Sequence, residues 1–361
     1  MTQSTSTVPA LTIGLDLGDE WAHFCGLDAS KKKVLEGRVA MTDKALRKQF
    51  PKSRPARIAL EAGAQSAWVC RLLKALRHEV IVAQPRKLRL IYCNDKKCDR
   101  IDAEQLATFA RLDPTVLHPI EHRDLKTQAD LATVEARALV VATRTKHINH
   151  VRGVCKSFGV RLPSCSTESF HRKVEKLIPP SLQEALNPML QMLGQLTESI
   201  AGYDDAIATL CKKKYRKATG AMQQVAGVGP VVSLTFALKV GDEHRFKKSR
   251  LLGAWVGLRP RLDQSGKTNR QLGITRAGDA ALRRLLIQAA HYTLGPFGPD
   301  SDLRTWGLKL AGQGNPRAKK TAVVAVARKL AVLMHRLWIT GEVYEPLRQT
   351  ARRAARQLAP A

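Results

Sequence analysis

The chain has 361 residues, of which 44% are hydrophobic, so it is not a disordered protein and has room for two or three globular domains. Its formal net charge of +29 indicates a polyanionic partner, because lysine and arginine gain affinity for phosphates by releasing condensed counterions. Residues 211–361 hold 29 Lys and Arg against 8 Asp and Glu, a net of +21, which leaves +8 for the first 210 residues. We therefore expect the strongest nucleic-acid surface in the C-terminal part.

The cysteines and the first residues of the chain indicate the cellular compartment of the protein. Seven cysteines contain no Cys-x-x-Cys pair, and their odd number is a poor disulfide framework, so we expect reduced thiols and a cytoplasmic protein. Residues 1–10 form a polar tail, expected to be disordered, without the features of a signal peptide. No apolar run reaches the about 18 residues of a membrane helix, so no membrane partner is expected.

The first part of the chain has the pattern of an α/β domain. A meander is followed by further strands that alternate with helices such as Ser66–Arg77. The predicted strands are Leu11–Leu17, Trp21–Asp28, Val34–Ala40, Arg57–Glu61 and Glu79–Ala83. This order is typical of a ribonuclease-H-like α/β domain, which we assign to residues 11–123.

Two carboxylates three residues apart, Asp99 and Asp102, open an amphipathic helix within Lys97–Ala103. Residues i and i+3 share a helix face, which suits a divalent cation, although acidic residues also favour a helix start through its dipole. Asp16 lies inside an apolar strand, where a lone carboxylate is costly to bury, and Glu61 either joins it or merely ends a strand. Four carboxylates at one sheet edge can hold two magnesium ions for phosphoryl transfer.

The middle of the chain, residues 124–220, is predicted to be helical. Two long helices are expected at Leu125–Phe158 and Ser181–Lys217, with Pro188 in the first turn of the main second helix. The stretch Val160–Ser169 between them is predicted to be a loop. An antiparallel arm is the expected result, with an ordinary helical subdomain as the alternative.

Residues 221–345 are assigned to a C-terminal domain that begins near Val225–Pro230. Its glycines Gly227 and Gly229 precede a helix, a pattern similar to a helix-hairpin-helix motif whose amides bind DNA phosphates; a generic glycine turn is the alternative. The domain ends in a loop and an apolar helix, and residues 346–361 form a basic tail that is either a nucleic-acid arm or a solvated helix face.

A polar loop after Trp255–Pro260 contains Ser265 among basic residues. The run Gly266-Lys267-Thr268 resembles the end of a phosphate-binding P-loop, but that motif needs glycine at position 261, so we exclude an ATPase. A serine hydroxyl among guanidinium groups can attack a phosphodiester, although most Ser-Gly pairs are plain turns. A basic helix through Arg276, Arg283 and Arg284 is expected next. The candidates for nucleic-acid contact are Gly227, Gly229, Arg259, Arg261, Lys267, Arg270, Arg276 and Arg283.

These motifs, taken together and in order, resemble the DEDD-type insertion-sequence transposases of the IS110 family, which includes Piv-like DNA invertases. The matching segments are Ile13–Asp16, Leu60–Gly63, Lys97–Ala103, Val225–Pro230, Gly257–Pro260, Ser265-Gly266, Gly273–Asp279, Leu282-Arg283 and Ala322–Ala331. One departure is that Glu61 precedes Ala-Gly-Ala, where Ala-Thr-Gly is more common in the family.

The resemblance implies a RuvC-like nuclease domain in which Asp16, Glu61, Asp99 and Asp102 bind magnesium, a helical, coiled-coil-like linker, and a mainly α transposase domain. Ser265 is then the nucleophile, assigned rather than Thr268 because it precedes Gly266. Implied partners are double-stranded DNA at the element ends and the target, and a structured bridge RNA that guides the enzyme. The implied homo-oligomer, a dimer or tetramer, pairs the serine of one subunit with the carboxylates of another, and the implied location is the bacterial nucleoid.

Three functions remain open at this point. The first is an RNA-guided, serine-nucleophile DNA recombinase that moves its own insertion sequence. The second is a metal-dependent hydrolytic nuclease similar to a Holliday-junction resolvase, in which Ser265 only positions DNA. The third is a catalytically silent nucleic-acid-binding protein that keeps the fold.

Overall fold

The computed structural model describes residues 10–85, 98–266, 268–312 and 316–351. The chain divides into two compact units, Met1–Asp124 and Leu125–Ala361. A further division of the second unit into an arm and a C-terminal domain stays a prediction. Lys97, Lys267 and most of both predicted tails lie outside the described residues.

The first unit contains a five-stranded sheet in the order β3-β2-β1-β4-β5. Its strands are β1 (Thr12–Leu17), β2 (Trp21–Leu27), β3 (Lys33–Ala40), β4 (Arg57–Glu61) and β5 (Glu79–Ala83). The meander pairs antiparallel, whereas β1, β4 and β5 run parallel. Its helices are α1 (Asp43–Gln49), α2 (Ser66–Ala75) and α3 (Asp99–Leu112). The predicted α/β sheet is confirmed, and its order is consistent with a ribonuclease-H-like domain.

Close packing of α3 on β1 fixes the position of the acidic helix start. Gly14 on β1 faces α3 so closely that a Cβ atom there would lie 1.9 Å from the carbonyl oxygen of Ala103. The helix presents Ala103, Ala107 and Ala110 to the sheet, all fully buried. Small residues on both partners therefore allow this approach, and a side chain at position 14 would push α3 away from the sheet.

The second unit begins with two long helices, α4 (Leu125–Ser157) and α6 (Gln183–Lys213), joined through the short α5 (Phe170–Val174). At one end, Val151 of α4 shares an apolar cluster with Leu190 of α6, and at the other end Val134 shares a cluster with Ile207. The two long helices are therefore antiparallel, as the sequence predicts. Arg137 donates a hydrogen bond of 2.5 Å to Asp204 between them.

Two boundaries of α6 differ from the prediction. Pro188 lies inside the helix rather than in its first turn, because α6 begins at Gln183 after a 3-10 turn at Pro180–Leu182. The helix ends at Lys213 and a new one starts at Arg216, because the hydroxyl of Tyr215 donates to Asp130 of α4 at 2.7 Å. This contact is tertiary, and the helical periodicity of the sequence does not contain it.

The rest of the second unit packs helices around one apolar core. These helices are α7 (Arg216–Gln223), α8 (Pro230–Val240), α9 (Leu252–Trp255), α10 (Ala280–Leu294), α11 (Asp302–Ala311) and α12 (Pro316–Thr340). Buried side chains such as Phe236, Leu286 and Leu330 belong to this core. No helix among the residues that the structure describes is long and apolar enough to cross a membrane.

The predicted polar loop is wrong, because residues 260–274 form a two-stranded antiparallel hairpin of β6 (Pro260–Ser265) and β7 (Thr268–Ile274). The side chains of β6 are almost all exposed, so the strand lacks the apolar alternation by which a half-buried strand is recognised. Arg276 is also misplaced: it lies in the turn before α10 with a left-handed φ of 54°, since that helix begins at Ala280.

Candidate carboxylate and serine sites

The carboxylates of the first unit approach one edge of its sheet. Parallel pairing ends with Leu15 of β1 opposite Leu60 of β4, so Asp16 and Glu61 follow directly at the same edge. Antiparallel pairing sets Asp16 opposite His23 of β2. The Nδ1 atom of that histidine lies 3.7 Å from a carboxylate oxygen of Asp99, which brings the start of α3 to this edge.

The pKa of Asp16 is shifted by its surroundings. Burial, followed by the charges of Asp99, Asp102 and Glu61, raises its pKa to about 6, and His23 opposes the shift. Burial disfavours the charged carboxylate, and like charges disfavour it further. The other three predicted carboxylates are thus near enough to Asp16 for their negative charges to raise its pKa together.

The carboxylate oxygens of this cluster are the ligand type that divalent cations prefer, although the side chains are not arranged as a complete coordination shell. Among the described residues, no three His, Cys, Asp or Glu side chains form a group that could already hold a metal ion. Hard cations such as Mg²⁺ prefer carboxylate oxygens, usually take only one or two of them, and keep several waters. Repulsion at Asp16 is the feature that a bound cation would relieve, so the donor set fits magnesium.

Replacement of Asp16 by Asn is expected to stabilise the metal-free protein at neutral pH. The raised pKa means that the native state holds the Asp16 proton more tightly than the unfolded chain, so stability falls as the pH rises from about 4 to about 6. After allowance for solvent screening, removal of the charge should add about 1–2 kcal/mol at pH 7 and flatten that pH dependence.

The measurement for Asp16→Asn is urea unfolding with a chelator at pH 4 and pH 7, repeated with Mg²⁺. Magnesium should stabilise the wild type more than the variant, because the variant lacks one candidate carboxylate ligand and much of the charge repulsion that a cation would relieve. A variant that is less stable than wild type at pH 7 without metal would contradict the electrostatic description of Asp16.

Ser265 lies at the tip of the hairpin in the second unit. It is the last residue of β6, it is exposed, and its backbone pairs with Thr268. Side chains directly opposite each other in a sheet share a face, and period-two alternation puts Arg270 on the face of Ser265, since Arg270 pairs with Asp263. The tip therefore presents a hydroxyl with a guanidinium group on the same face.

The other residues that are predicted to contact nucleic acid differ in whether their side chains already make hydrogen bonds within the protein. Arg259 is exposed just before the hairpin, and Arg261 is exposed in β6 itself. In contrast, the guanidinium of Arg283 donates to the backbone carbonyls of Val256, Arg276 and Ala277, which ties the turn before α10 to the residue that follows α9. The nucleic-acid role of these residues stays a prediction.

The structure contains the predicted glycine turn before α8. Gly227 has a left-handed φ of +87°, and Gly229 is the N-cap of a helix that begins with Pro230. A Cβ atom on Gly227 would lie 2.9 Å from the ring of Tyr292, so glycine is needed for both conformation and packing. The name helix-hairpin-helix for this turn stays a prediction.

One residue of the carboxylate edge was missed by sequence reasoning. His23 lies between Asp16 and Asp99, and its neighbourhood follows from the register of the first hairpin. Gly18 donates a backbone hydrogen bond of 3.0 Å to the carbonyl of Trp21, which sets that register. A count across this short turn, from Asp16 to His23, is the signal that could have found it.

Comparison with known proteins covers both parts of the chain. A model of the DEDD transposases of the IS110 type matches residues 13–159, which include the four carboxylates. The model described as Transposase IS116/IS110/IS902 family matches residues 220–302, which include Ser265.

Relatives match over most of their length. A putative transposase of Sinorhizobium fredii, y4pF/y4sB, is 30% identical across 92% of this chain and 85% of its own length. The transposase for insertion sequence element IS1111A of Coxiella burnetii is 26% identical across 92% of this chain and 90% of its own. A probable family 20 transposase of Pseudomonas aeruginosa is 27% identical across 92% of this chain and 98% of its own length.

The α/β sheet, its acidic edge and these matches define an enzyme of the DNA-cutting transposase class. More narrowly, the chain belongs to the IS110 family of insertion-sequence transposases.

Proposed function

We propose that this transposase cuts and exchanges DNA strands with Ser265 as the nucleophile and with Asp16, Glu61, Asp99 and Asp102 as magnesium ligands. The observation that carries the proposal is the electrostatics of Asp16, whose pKa is raised to about 6 by burial and by the other three carboxylates. A cluster of like charges costs stability unless a cation neutralises it, and such clusters concentrate at functional sites.

The serine step conserves the phosphodiester bond energy. The Oγ of Ser265 loses its proton as it attacks a DNA phosphorus and forms a Ser–O–P bond, while the bond from phosphorus to the deoxyribose oxygen breaks and that oxygen takes up a proton, so no net proton is gained or lost. Arg270, on the same hairpin face, is suited to stabilise the negative charge that develops on the phosphoryl oxygens. The free hydroxyl of another strand can then reverse the step and complete the exchange.

The magnesium site contributes separately. Two magnesium ions, when bound to these four carboxylates, would supply activation of the attacking oxygen and stabilisation of the leaving oxygen. Asp16 and Glu61 would hold it from the strand ends, and Asp99 and Asp102 from the first turn of α3. The close packing of Gly14 against Ala103 holds these two sources of ligands together.

The partners in this proposal are double-stranded DNA at the element ends and the target, and a structured bridge RNA that guides the choice of both. The net charge of +21 on residues 211–361 supports polyanion binding by the second unit. Amides at the start of α8, after Gly227 and Gly229, are suited to phosphate contacts that do not read sequence. The acting form is a homo-oligomer, a dimer or tetramer, in the bacterial cytoplasm.

Covalent trapping tests the serine step directly. Wild-type protein is incubated with Mg²⁺ and labelled element-end DNA, denatured, and searched for a protein–DNA adduct whose phosphorylated peptide contains Ser265. The expected result is an adduct that accumulates with strand cleavage. Cleavage without any adduct would overturn the serine mechanism in favour of hydrolysis by water, as in a resolvase-like nuclease. Binding with neither cleavage nor adduct would favour a silent nucleic-acid-binding protein.

A further inference from the structure

A large basic cleft lies in the second unit, between the β6–β7 hairpin, α11, α12 and the segment that follows α12. Its volume is about 1740 Å³, and ten Lys or Arg residues but only three Asp or Glu residues line it. Pockets for small ligands are usually about 300–1,000 Å³, so the basic cleft suits an extended ligand. Its charge indicates a polyanion.

Its three acidic residues include two that are committed to internal contacts. Glu342 accepts hydrogen bonds from Arg336 at 2.6 Å and from Arg348 at 3.3 Å. Asp302 accepts from the backbone amides of Gln349 and Thr350 at 2.6 and 3.2 Å. These contacts hold the segment after α12 in place, and the Glu342 carboxylate pairs with Arg336 and Arg348 rather than with the other cations of the cleft.

The cations along α12 are positioned for an external ligand. Arg317, Lys320 and Arg328 recur at helical spacing on the face that lines the cleft, while the opposite face, with Val326 and Leu330, is buried in the core. None of these three cations has a carboxylate partner among the described residues. They are therefore more than a solvated helix face, because together they form one wall of the concave cleft.

A fourth cation of the cleft is fixed by an aromatic ring. The Nζ atom of Lys329 lies 3.5 Å from the ring centre of Trp306 on α11, a cation–π contact. A positioned ammonium group loses less conformational entropy on binding a phosphate than a freely rotating one.

Exposed apolar side chains in the same cleft favour an unpaired nucleic-acid strand over a duplex as its ligand. Leu272 of β7 and Val343 after α12 line it and are 42% and 78% exposed. Duplex nucleic acid offers mainly phosphates and sugars to a flat contact, which would leave these side chains without a partner. An unpaired strand offers apolar base faces as well, which aliphatic side chains can cover in the way that aromatic platforms do in other single-strand grooves.

We infer that the basic cleft binds an unpaired stretch of the DNA strand that Ser265 cuts. The inference rests on the proposed function for its choice of DNA, because β6 carries both Arg261 of the cleft and Ser265 of the hairpin tip. Four residues of extended strand separate these positions by about 13 Å, the reach of a few nucleotides. The cleft would hold the phosphates and bases of the strand while its scissile phosphate lies at the tip.

Fluorescence anisotropy with full-length protein tests the inference, using a labelled single-stranded DNA without self-complementarity and a duplex of equal length. The double variant Arg317→Gln/Lys320→Gln should bind the single strand about tenfold more weakly at physiological salt, with a salt slope smaller by about 1.4. Lys212→Gln/Lys213→Gln, which removes two exposed cations at the end of α6, is the charge-matched control and should change binding much less.

A second variant separates base contacts from charge. Leu272→Ser/Val343→Ser should weaken single-strand binding without changing the salt slope or duplex binding, because it removes apolar surface and no cation. Equal losses in the α12 variant and the α6 control would overturn the inference in favour of diffuse charge attraction. Wild type that binds duplex as tightly as the single strand would overturn it too.

Two further comparisons complete the test. Single-stranded RNA of the same sequence that binds about tenfold tighter than DNA would assign the cleft to RNA and overturn the choice of DNA. Ser265→Ala should leave oligonucleotide binding unchanged. If wild-type protein binds oligonucleotides in the cleft but forms no covalent adduct, the serine mechanism is wrong and the inference about the cleft still stands. Circular dichroism and thermal unfolding confirm that each variant is folded.

Discussion

Replacement of Asp102 by Asn is expected to abolish DNA cleavage while nucleic-acid binding stays near the wild-type level. The substitution keeps the shape of the side chain and removes the negative charge of a proposed magnesium ligand at the sheet edge, where Asp102 contributes to the raised pKa of Asp16. Loss of several kcal/mol of metal-dependent transition-state stabilisation corresponds to a rate lower by at least about a thousandfold. Binding depends on the basic surfaces of the chain and should persist.

The measurement is strand cleavage of element-end DNA under single-turnover conditions, with binding followed in parallel by gel shift. Glu104→Gln is the matched control, because Glu104 lies on the same helix and pairs with Lys33 at 2.6 Å instead of facing Asp16. Cleavage by the Asp102 variant at the wild-type rate, or an equal loss in both variants, would remove Asp102 from the metal site.

The first unit could be predicted closely because its sequence patterns and its packing agree. Apolar residues run through β1 and β4, which are covered on both faces, and Ala103, Leu106, Ala107 and Ala110 recur at helical spacing where α3 contacts the sheet. Strand order then brings Asp16 and Glu61 to one edge, since parallel neighbours end together. The helix start with Asp99 and Asp102 reaches the same edge only through the close contact at Gly14, which no periodicity predicts.

The second unit was less predictable because several of its features depend on contacts between distant segments. The β6–β7 hairpin buries little of its own surface, so residues such as Leu262 and Gln271 carry no alternating pattern and read as a loop. The end of α6 depends on the hydrogen bond from Tyr215 to Asp130, 85 positions apart in sequence. The basic cleft draws its lining from segments up to 100 positions apart, from Arg250 to Thr350, so the sequence predicted the charge but not its enclosure.

Replacement of Ser265 by Ala is expected to abolish both the covalent adduct and strand exchange. If Oγ is the nucleophile, its removal costs about 10⁴-fold or more, as for other nucleophiles that act in a concerted site. Thr268→Ala is the sharpest comparison, because Thr268 pairs with Ser265 across the hairpin and is the only other hydroxyl residue of β6 and β7. Both substitutions remove one hydroxyl from the same end of the hairpin.

Only one of these two variants should lose the adduct. Ser265→Ala should retain binding to DNA and remain folded, since its side chain is exposed at the hairpin tip and supports no packing. Thr268→Ala should form the adduct at a rate within a few fold of wild type. The reverse result would make Thr268 the nucleophile, and adduct formation by both single variants would place the covalent link elsewhere. Cleavage by Ser265→Ala at the wild-type rate, with no adduct in either protein, would leave the carboxylate edge as a hydrolytic site with water as its nucleophile.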